Sequence, residues 1–100
     1  MALDIITHEK NGTVSRYEFP EGLHQAIFKK GLKIKKNNAL YPVKDYYLTD
    51  HSFEGQEIAR LAGALALEKP RLEASHREEL SLIIDILNNV NLASVLFAGD

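Results

Sequence analysis

The stretch from Ser75 to Val90, SHREELSLIIDILNNV, constrains the fold more than any other part of this 100-residue chain. Leu80, Ile83, Ile84 and Leu87 recur at i, i+3, i+4 and i+7, so they share one face of a helix. Leu82 and Ile86 widen that stripe, leaving only Glu79, Ser81, Asp85 and Asn88 for water. A helix this apolar needs cover on more than one side, and the spacing predicts a central, buried helix. Ser75 and Glu78 have the S-x-x-E spacing of a capping box, which places its start.

Cover for that helix must come from the rest of the chain. With 45% apolar residues, 100 positions suffice for a single globular domain over 1–100. There is no cysteine, hence no disulfide framework, no thiolate metal site and no cysteine nucleophile. The opening MALDIITHEK places Asp4 early and lacks both the basic start and the apolar run of a signal peptide. The longest apolar-rich tract, Ile58 to Leu67, is broken by Arg60 and Gly63 and falls short of the roughly 20 residues a membrane span needs. The expectation is a soluble, cytoplasmic protein with no membrane contact.

At the N-terminal end, ALDIIT and TVSRYEF are rich in β-branched and aromatic residues and flank Asn11-Gly12. Asn-Gly favours a type I′ turn, so a hairpin is predicted, with strands near 2–9 and 13–19. Leu3 and Ile5 mark one face of the first strand, Tyr17 and Phe19 one face of the second. Pro20 suits a first helical position, Lys29 and Lys30 a last turn, and Gly31 a left-handed stop, which predicts a helix over 21–30. Leu32 to Lys35 alternates apolar with basic residues, as a half-buried strand does, and ALYPV at 39–43 is a candidate partner strand kept to an edge by Pro42. Tyr46 to Leu48 fits either a strand or an ordered loop.

A second helical zone starts at Asp50 or Ser52, either of which can cap it, carries Ile58, Leu61, Ala62 and Leu65 on one face, and stops at Pro70. Gly55, Ala59 and Gly63 repeat every four residues, a smooth strip suited to close packing of another element. The tail NLASVLFAGD, with Leu92, Val95, Leu96 and Phe97, is apolar enough to be tied to the core as a last turn or a short strand. The fold class is therefore α+β: a small antiparallel sheet, built from the N-terminal hairpin plus short strands, with a short helix and two packed C-terminal helices in the order ββαββαα.

Charge is divided. Residues 1–50 carry eight Lys/Arg against six Asp/Glu, and residues 51–100 carry four against eight. Lys29, Lys30, Lys33, Lys35 and Lys36 form a basic cluster that could contact phosphates. It contains no arginine and no interleaved aromatic, and the net charge of −2 is not that of a typical nucleic-acid binder. Lysines on an exposed strand also keep an edge from aggregating. No two of His8, His24, His51 and His76 stand at i+3 or i+4 to one another, and the consecutive Asp50-His51-Ser52 is not the arrangement of a triad, which is assembled from distant positions. The glycines fit neither G-x-G-x-x-G nor G-x-x-x-x-G-K. No cofactor, no metal and no enzymatic activity are expected.

The remaining candidate surface is Tyr41, Tyr46 and Tyr47 with Asp45 and Asp50, extended by Glu54 and Glu57 on the second helical zone. Tyrosine brings large contact area at low rotamer entropy, and the carboxylates suit a basic partner. The reading favoured by these features is a small protein-binding module that occludes a partner, such as a toxin-neutralising immunity protein or another inhibitor, itself a monomer or weak homodimer. The alternatives are a nucleic-acid-binding accessory protein using the lysine cluster, and a small-ligand protein or enzyme in which His51 or His24 meets a carboxylate.

Overall fold

The computed structural model describes residues 3–28, 34–46 and 49–99. The hairpin forms where the alternation places it, with β1 (Leu3–Glu9) antiparallel to β2 (Val14–Phe19), Leu3 opposite Phe19 and Thr7 opposite Ser15. Its turn differs from the type I′ expectation. Only Gly12 takes a positive φ, +92°, and no other residue type among the described residues has one. The Gly12 N–H donates to the Glu9 carbonyl at 2.9 Å, and the Glu9 N–H to the Thr13 carbonyl at 2.8 Å. This is the three-residue loop Lys10-Asn11-Gly12 with glycine in the left-handed position. The Asn11 side chain accepts from the Thr13 N–H at 2.9 Å, so it supports the turn without itself entering the left-handed region.

Two further strands, β3 (Asp50–Glu54) and β4 (Leu92–Ala98), complete a sheet of order β2-β1-β4-β3 in which every pairing is antiparallel. The tail of the chain is thus a central strand. Val95 and Phe97 point to one side and Leu96 to the other, which suits a strand paired along both edges with one face in the core. Glu9 lies opposite Leu92 and His8 opposite Ser94, so Ala93 is the extra residue of a bulge.

The α+β class holds, with the order ββαβααβ, and the later strands lie elsewhere than the alternation suggests. Pro42 belongs to a 3₁₀ turn at Tyr41–Val43, where its missing N–H leaves no ladder bond unmade. Ile34 and Lys35 have no regular structure, and Leu32 and Lys33 lie outside the described residues. Asp50 and Ser52 cap no helix. They are the outward positions of β3, and Gly55 at φ +54° makes the break before the helix.

Among the described residues three helices lie over the Val95 and Phe97 side of the sheet: α1 (Glu21–Ile27), α2 (Gln56–Ala66) and α3 (Ala74–Leu87). The core joins Leu3, Ile5, Phe19, Phe53, Val95 and Phe97 of the sheet to Leu23 and Ile27 of α1, Leu61 and Leu65 of α2, and Leu80, Ile83 and Leu87 of α3. In α2 the buried side chains are Ile58, Leu61, Ala62 and Leu65, as their spacing predicts. In α3 the capping box does not form: the helix starts one residue before Ser75, and Glu73 stands at the N-cap without a side-chain bond. Nor is α3 covered on several sides, because Leu82 is 65% exposed. The small-residue strip also faces water. Gly55 precedes the helix, Ala59 and Gly63 are exposed, and a Cβ on Gly63 would enter open space.

Two polar clamps hold the short helix α1. At its C-terminal end, the Arg71 guanidinium donates to the Ala26 carbonyl at 2.8 Å and the Ile27 carbonyl at 2.5 Å while pairing with Glu68. Carbonyls left without intrahelical partners thereby receive a charged donor from the 3₁₀ turn Lys69–Arg71, which links α2 to α3. On its inner side, the His24 ring hydrogen-bonds the Val43 carbonyl at 2.8 Å.

Candidate protein-binding face

A four-stranded sheet covered on one side leaves the other side to solvent or to a partner. The registers fix which residues stand there. Arg16, Ile6, Leu96 and Ser52 form one row across β2, β1, β4 and β3; Glu18, Asp4, Ala98 and Asp50 form a second, and Val14, His8, Ser94 and Glu54 a third. None of them belongs to the buried core cluster. Ile6, Leu96 and Ala98 are half-buried and make an apolar centre. Around it stand the carboxylates of Asp4, Glu18, Asp50 and Glu54, against the single guanidinium of Arg16, which pairs with Asp4 at 3.3 Å. Such a surface joins desolvatable area to a negative potential, and carboxylates around an apolar centre suit a basic protein surface.

Of the residues singled out from sequence, Asp50 and Glu54 lie on this face, at opposite ends of the edge strand β3. Asp45 is exposed nearby: the Thr49 N–H donates to its carbonyl at 3.1 Å, and Thr49 directly precedes Asp50. Glu57 sits in the first turn of α2 and reaches back to accept from the Glu54 N–H at 3.3 Å, so it steadies the strand-to-helix turn. The tyrosines are not brought together as a surface. Tyr46 is 8% exposed and its hydroxyl donates to the Phe19 carbonyl at 2.8 Å. Burial raises that hydroxyl above its ordinary pKa, so it remains a donor. Tyr41 is half-buried with the Lys44 ammonium 5.3 Å from its ring centre, and Tyr47 lies outside the described residues. Residues that sequence reasoning missed are Asp4, Ile6, Glu18 and Leu96. The signal for them was the outward half of the same alternation that placed Leu3, Ile5, Phe19 and Phe97 in the core.

In the lysine cluster, Lys35 and Lys36 are exposed, and Lys29, Lys30 and Lys33 lie outside the described residues. The histidines have separate surroundings. His24 is a core residue packed on Phe28 at 4.5 Å, Tyr46 at 5.1 Å and Phe19 at 5.7 Å between ring centres. A carbonyl can only accept, so Nε2 of His24 carries the proton given to Val43. Burial holds this imidazole below its ordinary pKa, against the Val43 carbonyl and the charges of Asp45 and Glu21, which pull it upward. His76 faces Glu79 one turn along α3 at 2.9 Å, and His8 is exposed on the open face. His51 packs on Phe53 at 4.7 Å on the helix side of β3. There it shares a cleft of about 160 Å³ with Glu57, Arg60 and Asn37. Among the described residues no three His, Asp or Glu side chains are placed to share a metal ion, and no helix is long and apolar enough to cross a membrane.

Compared with known proteins, the chain matches no family model, no curated protein and no solved structure.

Proposed function

We propose that this chain is a protein-binding module of the cytoplasm that acts by occlusion, as an immunity or inhibitor protein does, and that the open face of its sheet covers a basic surface on the partner. The observation that carries the reading is the row structure of that face: Ile6 and Leu96 at the centre, with Asp4, Glu18, Asp50 and Glu54 around them. The carboxylates raise the encounter rate with a cationic surface and set orientation, while the apolar centre provides area to desolvate. A rigid backbone suits this task, because the face is presented by paired strands and loses little freedom on binding.

The test is an affinity capture from host lysate at low and high salt, comparing the wild type with the Asp50→Lys, Glu54→Lys double variant. One protein retained in equimolar amount by the wild type and released from the variant is the expected result. Equal retention by both, retention of nothing, or retention of nucleic acid that salt removes would each overturn the assignment; the last would point to Lys35 and Lys36. A second reading, a small-ligand protein using a histidine–carboxylate pair, is favoured by the cleft that His51 and Glu57 share. It requires small molecules to shift the His51 ring resonances, and loss of that shift in Glu57→Gln.

A further inference from the structure

The two edges of the sheet are finished differently. On β3 the inward residues His51 and Phe53 are covered by α2 and by the segment around Ala39 and Pro42. On β2 the cover ends at Phe19. Tyr17, two residues earlier on the same face, is 41% exposed and looks onto a groove of about 570 Å³ whose far wall is Leu82 and Ile86 of α3, with Leu92 at its base. Here the apolar flank of α3, for which the sequence demands cover, meets an unpaired strand edge.

Among the described residues no strand pairs with that edge. Antiparallel pairs alternate between those that exchange both hydrogen bonds and those that exchange none. The Glu9 N–H bonds to the Thr13 carbonyl, so Thr7–Ser15, Ile5–Tyr17 and Leu3–Phe19 are the bonded pairs of the hairpin. The N–H and C=O groups of Val14, Arg16 and Glu18 therefore point away from β1. Within β2 there is no proline, lysine or bulge to protect the edge, and its two charged residues, Arg16 and Glu18, are of opposite sign.

We propose that the occupant of this edge is a second copy of the chain, paired antiparallel through β2 about a twofold axis at Tyr17. Charge selects the occupant and the register. With the axis at Tyr17, Arg16 of each copy stands opposite Glu18 of the other, and both pairs exchange their main-chain hydrogen bonds. With the axis at Arg16, two guanidinium groups would face one another instead, which is destabilising across strands. Within one copy, Glu18 stands opposite Asp4, a like-charged neighbour, and has no ion-pair partner among the described residues. Arg16 of the second copy relieves that repulsion. The twofold keeps both helical layers on the same side, so Tyr17 meets its symmetry mate, and the two grooves with their Leu82 side chains join across the axis. Pro20, lacking an N–H, ends the ladder on each side.

Sedimentation of the purified protein tests this without any other partner. The expected mass is twice the chain's 11.2 kDa, with concentration-dependent dissociation. Glu18→Arg alone or Arg16→Glu alone places like charges across the axis and raises the dissociation constant roughly tenfold or more. The double reversal, Arg16→Glu with Glu18→Arg, restores the dimer. Leu82→Glu, remote from the ladder, also weakens it by desolvating a carboxylate in the joined groove. All these positions are exposed, so each variant should keep the wild-type circular dichroism. A wild type that stays monomeric, a dimer indifferent to either single reversal, or a double reversal that does not recover would overturn the proposal. The Asp50→Lys, Glu54→Lys variant, at the other end of the sheet, should remain dimeric, which separates this result from partner capture.

Discussion

The two faces of the sheet are made from alternate residues of the same strands, yet they have opposite chemistry. On one, Leu3, Ile5, Phe19, Val95 and Phe97 have no solvent exposure. On the other, Ile6 and Leu96 are half-exposed between carboxylates. Phe97 and Leu96 are neighbours in one strand, separated only by the pleat. The contrast shows that composition did not decide which apolar residues the fold buries. Helix placement did: α1, α2 and α3 all lie on one side, and every outward residue was left to another use.

The sharpest way to break the contrast is to truncate across it. Phe97→Ala should lose about 3–5 kcal/mol in urea unfolding, because it opens a cavity against Phe19 and Phe53. Leu96→Ser should lose less than about 1 kcal/mol, since none of the described elements packs on the face it leaves. Equal losses would mean that something seals the outer face as well. Next in size is the clamp that holds the covering layer. Arg71→Ala removes a charged donor from the Ala26 and Ile27 carbonyls and should cost about 1.5–3 kcal/mol; an unchanged midpoint would show that water replaces it.

The smallest expected effect lies in pH. The folded His24 is held below its ordinary value of 6.5, mainly by burial, so the unfolded chain binds the proton more readily. Its contribution is complete above pH 6.5 and is lost as the pH falls from that value toward the depressed folded one. His24→Gln, which keeps a donor for Val43, should flatten the stability profile in this window. A profile as steep as the wild type's would assign the titration elsewhere.

Much of the covered side was legible in the sequence, because burial imposes periodicity. The stripes Ile58–Leu61–Ala62–Leu65 and Leu80–Ile83–Leu87, and the alternation Leu3–Ile5, all report it. The uncovered side was illegible for the converse reason. Asp50, Ser52 and Glu54 alternate with His51 and Phe53 as a strand should, yet Asp and Ser are also preferred helix caps, and over five residues the cap signal hides the alternation. Leu32 to Lys35 offered the same alternation, and its described half, Ile34 and Lys35, forms no strand. Pairing partners decide between such segments, and partners distant in sequence leave no local signal. The tyrosines show the same limit from the other direction. Tyr46 resembles an interface residue by type, but it is a buried post whose hydroxyl anchors the strand end at Phe19.

The central position of β4 has a consequence for how the molecule comes into being. Leu96 pairs with Ile6, ninety positions earlier. During synthesis, the hairpin and all three helices emerge before the strand that joins them, and an isolated hairpin is only marginally stable in water. Until β4 arrives, β1 has one unpaired edge and an unsealed apolar face, so the nascent chain has reason to stay bound to whatever shields it. Closing so long a loop makes the productive step a late and non-local one. Folding thus waits for β4, and a ribosome that stalls before Leu92 would hold a chain with the three described helices and three of the four strands, β3 among them without its neighbour.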